Sequence, residues 1–214
     1  PMPYVWALRE DGIACNTLYN PGEEARGIFR VVTGALSPLD SARPSDRIVS
    51  VVILPTFDED SVYFAVERTI SDGAGGTTQV YYLEKMAKHS EVITRVYNST
   101  TKKVEAKNGF KLLDSYITTT GTSVVGQVIT GLTHLLGRTD VMIIGQAVGG
   151  LYGPSTDTYT VSASGTITTL QAFSGTLCVG AGYAGIYQSS KLAYGAQKGT
   201  ALTQAKRVET LGLV

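Results

Sequence analysis

At 214 residues, 43% hydrophobic and only 17% charged, the chain has ample material for a core. Lys and Arg together number 18, as do Asp and Glu, so the formal net charge is zero. That balance excludes a general nucleic-acid binder, which holds phosphates through excess Lys and Arg, while leaving room for a local basic patch. No run of about 18 apolar residues occurs, so no membrane-spanning helix is expected.

The first element is a hairpin. Tyr4–Arg9 and Ile13–Tyr19 flank Glu10-Asp11-Gly12, and Asp-Gly between alternating apolar stretches is a strong hairpin signal. Asn20-Pro21-Gly22-Glu23 makes the next turn, and Ala25–Val32 the next strand. The segment from Ser37 to Asp46, with Pro38 and Pro44, is expected to be a surface loop. A three-stranded antiparallel meander follows, over Arg47–Leu54, Ser61–Ile70 and Thr77–Met86. Each block is rich in Val, Ile and Tyr, which suit a pleated, half-buried surface. The junctions Pro55–Asp60 and Ser71–Gly76 carry the Pro, Asp and Gly that tight connections need.

From His89 the character shifts. Val92–Tyr97 fits either a strand or a short helical turn, Asn98–Lys103 is polar, and Phe110–Thr118 resumes apolar content. A boundary is placed at the polar stretch Thr118–Ser123, giving parts 1–120 and 121–214. In the second part Gln127–Thr130, Asp140–Ile144, Thr158–Val161, Thr166–Leu170 and Thr176–Val179 are short strand candidates. Ala163-Ser164-Gly165 is a turn between two of them, and Leu132–Leu136 has room for one helical turn. Many short strands with turn signals specify an all-β fold: antiparallel meanders in two packed sandwich- or barrel-like parts, with little helix. Both ends of the chain run into strand-like sequence, so it is read as an interior piece of a longer polypeptide.

Candidate chemistry is sparse. Asp58-Glu59-Asp60 is a carboxylate run, but consecutive residues in a connection splay apart rather than converge as an acid–base pair. His134 sits among leucines and is expected to pack; His89, beside Lys88, is expected to be solvated. Gly145–Gly150 and Gly180–Gly185 lack the Gly-Lys-Ser/Thr that closes a phosphate loop. Lys198-Gly199-Thr200 has no Ser-x-x-Lys to accompany it. Cys15 and Cys178 belong to no metal-type cluster and are read as small buried or half-buried apolar residues, a single bridge being the lesser option. Tyr81 and Tyr82, adjacent on a strand, must face opposite ways, so one of them belongs to the core. Lys191, Lys198, Lys206 and Arg207 form a weakly basic C-terminal stretch. No catalytic, cofactor-binding or metal-ligating residue is assigned, and no enzyme activity or cofactor is expected.

Several blocks, in order, resemble a known family. Tyr4-Val-Trp-Ala-Leu-Arg-Glu-Asp-Gly12 is similar to a W-x-x-R-x-D-G opening, Asp58–Arg68 to a d-E-d-x-V-y-x-x-V-x-R block, and Tyr82-Leu-Glu-Lys-Met86 to Y-x-E-x-M. Gly131–Val141 is similar to G-L-x-H-L-x-G-x-x-V. Val161–Leu170, Val179–Tyr183 and Gln204–Val208 continue the series. Together they resemble the tail nozzle proteins (tail tubular protein B-like) of short-tailed bacteriophages. The resemblance implies an all-β structural protein of the virion, with propeller-like and barrel-like parts. It implies a homo-oligomeric ring at the distal end of the tail, in contact with adaptor and fibre proteins, through which DNA passes transiently. The alternative is a receptor- or glycan-binding module of a tail fibre.

Overall fold

The computed structural model describes residues 4–20, 25–34, 46–57, 60–88, 95–100, 102–106, 111–150 and 152–182. The chain is nearly all β, in several small antiparallel sheets, and among the described residues none closes into a barrel.

Strands β1 (Tyr4–Leu8), β2 (Ala14–Asn20) and β3 (Ala25–Val31) form the first sheet, in that order. The Asp11-Gly12 turn closes the first hairpin as expected, with Gly12 N–H donating to the Arg9 carbonyl at 3.1 Å. Strands β4 (Arg47–Leu54), β5 (Ser61–Ser71) and β6 (Thr77–Lys85) are the expected meander. β5 is central and pairs with β6 through nine consecutive residue pairs without a shift, whereas its pairing with β4 slips between Ile48 and Ser50. The two sheets share one core: Ala14, Ile48, Val62, Phe64 and Val66 are buried, with Trp6 and Val31 packed against them. Trp6 meets Phe64 edge to face at 5.4 Å between ring centres.

β7 (Arg95–Asn98) and β8 (Lys103–Ala106) form a separate hairpin, so the residues described in Val92–Tyr97 are strand rather than helical turn. β9 (Asp114–Thr122), β10 (Val128–Ile129), β11 (Val141–Ala147), β12 (Tyr152–Pro154), β13 (Ile167–Thr168) and β14 (Phe173–Ala181) complete the fold. β12-β11-β14-β9 is one antiparallel sheet, and β10 pairs with β13. One face of the larger sheet buries Val141, Ile143, Phe173, Leu177 and Val179 against Leu132 and Leu135. The other face buries Ile144 and Cys178 against Leu113. β14, of which Thr176–Val179 was the expected strand, is covered on both sides from Leu177 onward, its last five residues all being buried.

Three placements differ from expectation. Thr158–Val161 is no strand: it supplies one bridge, Tyr159 to Val141. Thr118–Ser123, expected as a polar divider, is mostly the second half of β9, paired with β14 as far as Thr122. Asp46, expected at the end of a surface loop, is buried. The expected helical turn is present as a short 3-10 segment, Thr133–Leu135.

Candidate functional site

The most concentrated polar chemistry among the described residues lies where β5 meets the segments that precede β9 and β11. Arg68, at the end of the Val-rich run of β5, is 1% exposed and touches three carboxylates. Its Nε and Nη2 donate to the two oxygens of Glu84 on β6, each at 2.7 Å. Its Nη1 lies 3.1 Å from Asp46 Oδ2 and 2.9 Å from Asp114 Oδ2. A planar guanidinium suits this task, because its five donors diverge in fixed directions. Asp46 also accepts from the Thr69 backbone N–H at 3.1 Å and is bound by Arg138 Nη1. Arg138 in turn pairs through Nε and Nη2 with both oxygens of Asp140. Asp114 Oδ2 accepts the Gly34 N–H at 2.6 Å, and Ser115 Oγ donates to Glu84 at 3.0 Å.

Burial opposes the charge on Arg68, but Glu84 and Asp114 more than offset it and hold its pKa above the ordinary arginine value. Arg138 is likewise raised, burial being outweighed by Asp140 and Asp46. The network joins five stretches: the end of the first sheet at Gly34, the lead into β4 at Asp46, the meander, the start of β9 and the lead into β11.

Beside it lies a shallow cleft of about 260 Å³ between the β5–β6 turn and Leu136–Arg138. Ser71 N–H donates to the Leu136 carbonyl at 3.0 Å there. Gly137 has φ +77°, and a side chain on it would meet Ser71 Cβ at 2.7 Å, so the contact demands glycine twice over. The cleft offers hydroxyls and backbone, and its one charged group, Arg138, is committed to carboxylates.

The residues singled out in sequence are placed as follows. His134 Nε2 is 2.8 Å from the Ser115 carbonyl, and its ring meets Tyr82 edge on. Tyr82 is half-buried and Tyr81 exposed, as strand alternation requires. Asp60 is exposed at the start of β5, while Asp58, Glu59 and His89 lie outside the described residues. So do residues 183–185 of the second glycine-rich stretch, Lys191, Lys198–Thr200, Lys206 and Arg207. Gly145 and Gly180 lie inside β11 and β14, where a Cβ would strike Leu177 or the β9 backbone. Among the described residues no three of His, Cys, Asp and Glu gather as metal ligands.

Cys15 and Cys178 are free thiols. Burial pushes the Cys178 pKa up to about 12, so its contribution to stability is whole below the unfolded thiol's pKa and is lost as pH rises from there through the raised folded value. Iodoacetamide at mildly alkaline pH is expected to label half-buried Cys15 first and leave Cys178 unmodified until urea unfolds the chain. Peptide mass mapping reads the order, and equal native rates would contradict this burial.

The network was not anticipated from the sequence, although Arg68, Glu84, His134, Gly137 and Arg138 all lie in blocks that carry the phage resemblance. Comparison with known proteins adds no relative: no family, no curated protein and no solved structure matches the chain.

Proposed function

We propose that the chain is a structural component of a bacteriophage tail, a subunit of the nozzle ring around the DNA exit channel. The observation that carries this reading is the convergence of the resembling blocks. Arg68 and Glu84, from two of the blocks, bond each other, and Arg138, from a third, reaches Arg68 through buried Asp46, a contact that holds segments together.

The surface supports assembly as well. Among the described residues β3 and β6 are sheet edges, and exposed edges template pairing with another chain. On β3 the adjacent Ile28 and Phe29 face opposite ways, yet both are exposed, at 74% and 55%. On β6 Tyr81 and Leu83 stand on the outer face, at 66% and 74%. A sugar platform needs aromatics gathered on one surface, whereas among the described residues the exposed Phe29, Phe57 and Tyr81 belong to three separate elements. The ring subunit is therefore preferred to a receptor- or glycan-binding module.

Light scattering across a concentration series tests this. A discrete ring-sized mass is expected, and Ile28→Lys with Leu83→Lys is expected to collapse it to the monomer while leaving the circular dichroism unchanged. A wild-type monomer at every concentration would overturn the reading.

A further inference from the structure

The sheet edges are not treated alike. Backbone groups along an edge invite another strand, and proteins commonly blunt their edges against it. Among the described residues β4, β12 and β9 carry such a guard. On β4 the pairing slips between Ile48 and Ser50, and the Gly12 carbonyl takes the Ile48 N–H at 2.9 Å. β12 is three residues long and ends in Pro154. On β9 the side chain of Gln127 stands in for a strand. Its Nε2 donates to the Thr120 carbonyl at 2.8 Å, and its Oε1 accepts the Thr122 N–H at 3.0 Å.

The longest edges without a guard among the described residues are β6, nine residues, and β3, seven. The Met86 N–H donates to the Val62 carbonyl at 2.9 Å, and bonded pairs alternate with unbonded ones along an antiparallel ladder. The unshifted register therefore turns the N–H and C=O of Val80, Tyr82 and Glu84 toward β5. Those of Thr77, Gln79, Tyr81, Leu83 and Lys85 point away from the sheet, and all five residues are exposed. The same reasoning applies to β3. The Arg9 N–H bonds the Ile13 carbonyl, so odd-numbered residues of β2 bond toward β1 and even-numbered ones toward β3. Their partners on β3 are Gly27, Phe29 and Val31, which leaves the backbone groups of Arg26, Ile28 and Arg30 pointing outward. Among the described residues no further strand pairs with either edge.

We infer that the β6 edge of one subunit receives the β3 edge of a second copy, antiparallel, as an added strand. This rests on the ring reading above and names its seam. Two different edges on one chain make a head-to-tail contact, which closes into a ring where the rotation allows. The register follows from the kinds of side chain. Outward-bonding residues must pair with one another, and the side chains of directly opposed residues share a face. Ile28 opposite Tyr81, with Leu83 next to it, and Arg30 opposite Gln79 set apolar against apolar and polar against polar. A shift of two residues either way sets Arg30 against Tyr81 or Ile28 against Gln79. The stated pairing covers Ile28, Tyr81 and Leu83, all exposed in the single chain.

The test is light scattering of the full chain carrying Gln79→Pro. Gln79 is exposed and its N–H is not bonded to β5, so proline keeps the existing ladder and removes what an added strand would use. Wild type and Gln79→Ala are expected to form the ring, whereas Gln79→Pro is expected to need at least about tenfold more protein for half-assembly. A second measurement does not depend on that variant folding. Phe29→Cys chains are mixed with Val80→Cys chains, oxidised and mapped by mass. A disulfide joining positions 29 and 80 of different chains is expected, because the stated register opposes them as a closely spaced, unbonded pair. Rings of Gln79→Pro at wild-type concentrations, dissociation by Gln79→Ala as well, or oxidised rings without that bridge would overturn the strand addition and leave the ring standing. A monomeric wild type would overturn the ring reading, and this inference with it.

Discussion

Arg68→Ala is expected to lower the unfolding free energy by about 3–5 kcal/mol, the range seen when one partner of a buried ion pair is removed. The size follows from what remains. Asp46, 1% exposed, keeps Arg138 and the Thr69 N–H but loses a cationic neighbour. Glu84 loses both of its guanidinium bonds and keeps Ser115, while Asp114 loses its arginine and keeps the Gly34 N–H. Arg138 then serves only Asp46 and Asp140, and Glu84 and Asp114 lose the arginine they bonded. Arg68→Lys should recover little, because an ammonium is a point donor and cannot span Glu84 bidentately while reaching Asp46 and Asp114. Urea titration followed by Trp6 fluorescence measures the loss, since Trp6 is the single tryptophan and packs on Phe64 in the core beneath β5. Because the network spans both halves of the chain, the transition should move to lower urea as one step. A loss under about 1 kcal/mol would place the pairs among the many ion pairs that contribute nothing measurable.

How far the sequence could be read depended on the range of the physics involved. The Asp11-Gly12 hairpin and the β4–β5–β6 meander rest on turn chemistry and alternation, which act within a few residues and leave their mark there. Tyr81 and Tyr82 fell to opposite sides for the same reason. Asp46 was misplaced because its neighbourhood of Pro and polar residues is loop-like, while its burial is decided by Arg68 and Arg138, 22 and 92 residues away. No periodicity records such a pairing. Lys103–Ala106 went unnoticed as a strand because three of its four residues, Lys, Glu and Ala, are depleted in strands. Thr118–Ser123 looked like a divider on polarity, yet threonine is β-branched and suits a strand whose alternate residues face water. Chemistry was the harder part. Arg68, Glu84 and Arg138 were visible as motif letters, and nothing in their spacing said that they meet.

Gly121→Ala is expected to cost about 2–4 kcal/mol, a large penalty for one methyl group. A Cβ at this position falls on the Phe173 carbonyl and lies 2.9 Å from the Ser174 nitrogen. Both are backbone atoms of β14, so no side-chain rotation relieves the clash. β14 has no freedom to retreat, because it is bonded to β11 on its other side and anchors Leu177 and Val179 in the core. The strands must part near Ser174↔Thr122 and Gly175↔Gly121, where the Ser123 N–H also bonds the Phe173 carbonyl at 2.8 Å. Gly175→Ala is the internal control: it is the cross-strand partner of Gly121, has φ +70°, and has nothing within 4 Å of its added carbon. Only backbone strain acts there, at about 1–2 kcal/mol. Thermal or urea midpoints for the pair therefore separate steric contact from φ strain. If Gly121→Ala cost no more than Gly175→Ala, β9 would be free to lift from β14, and Gly121 would mark a joint in the chain rather than the middle of a strand.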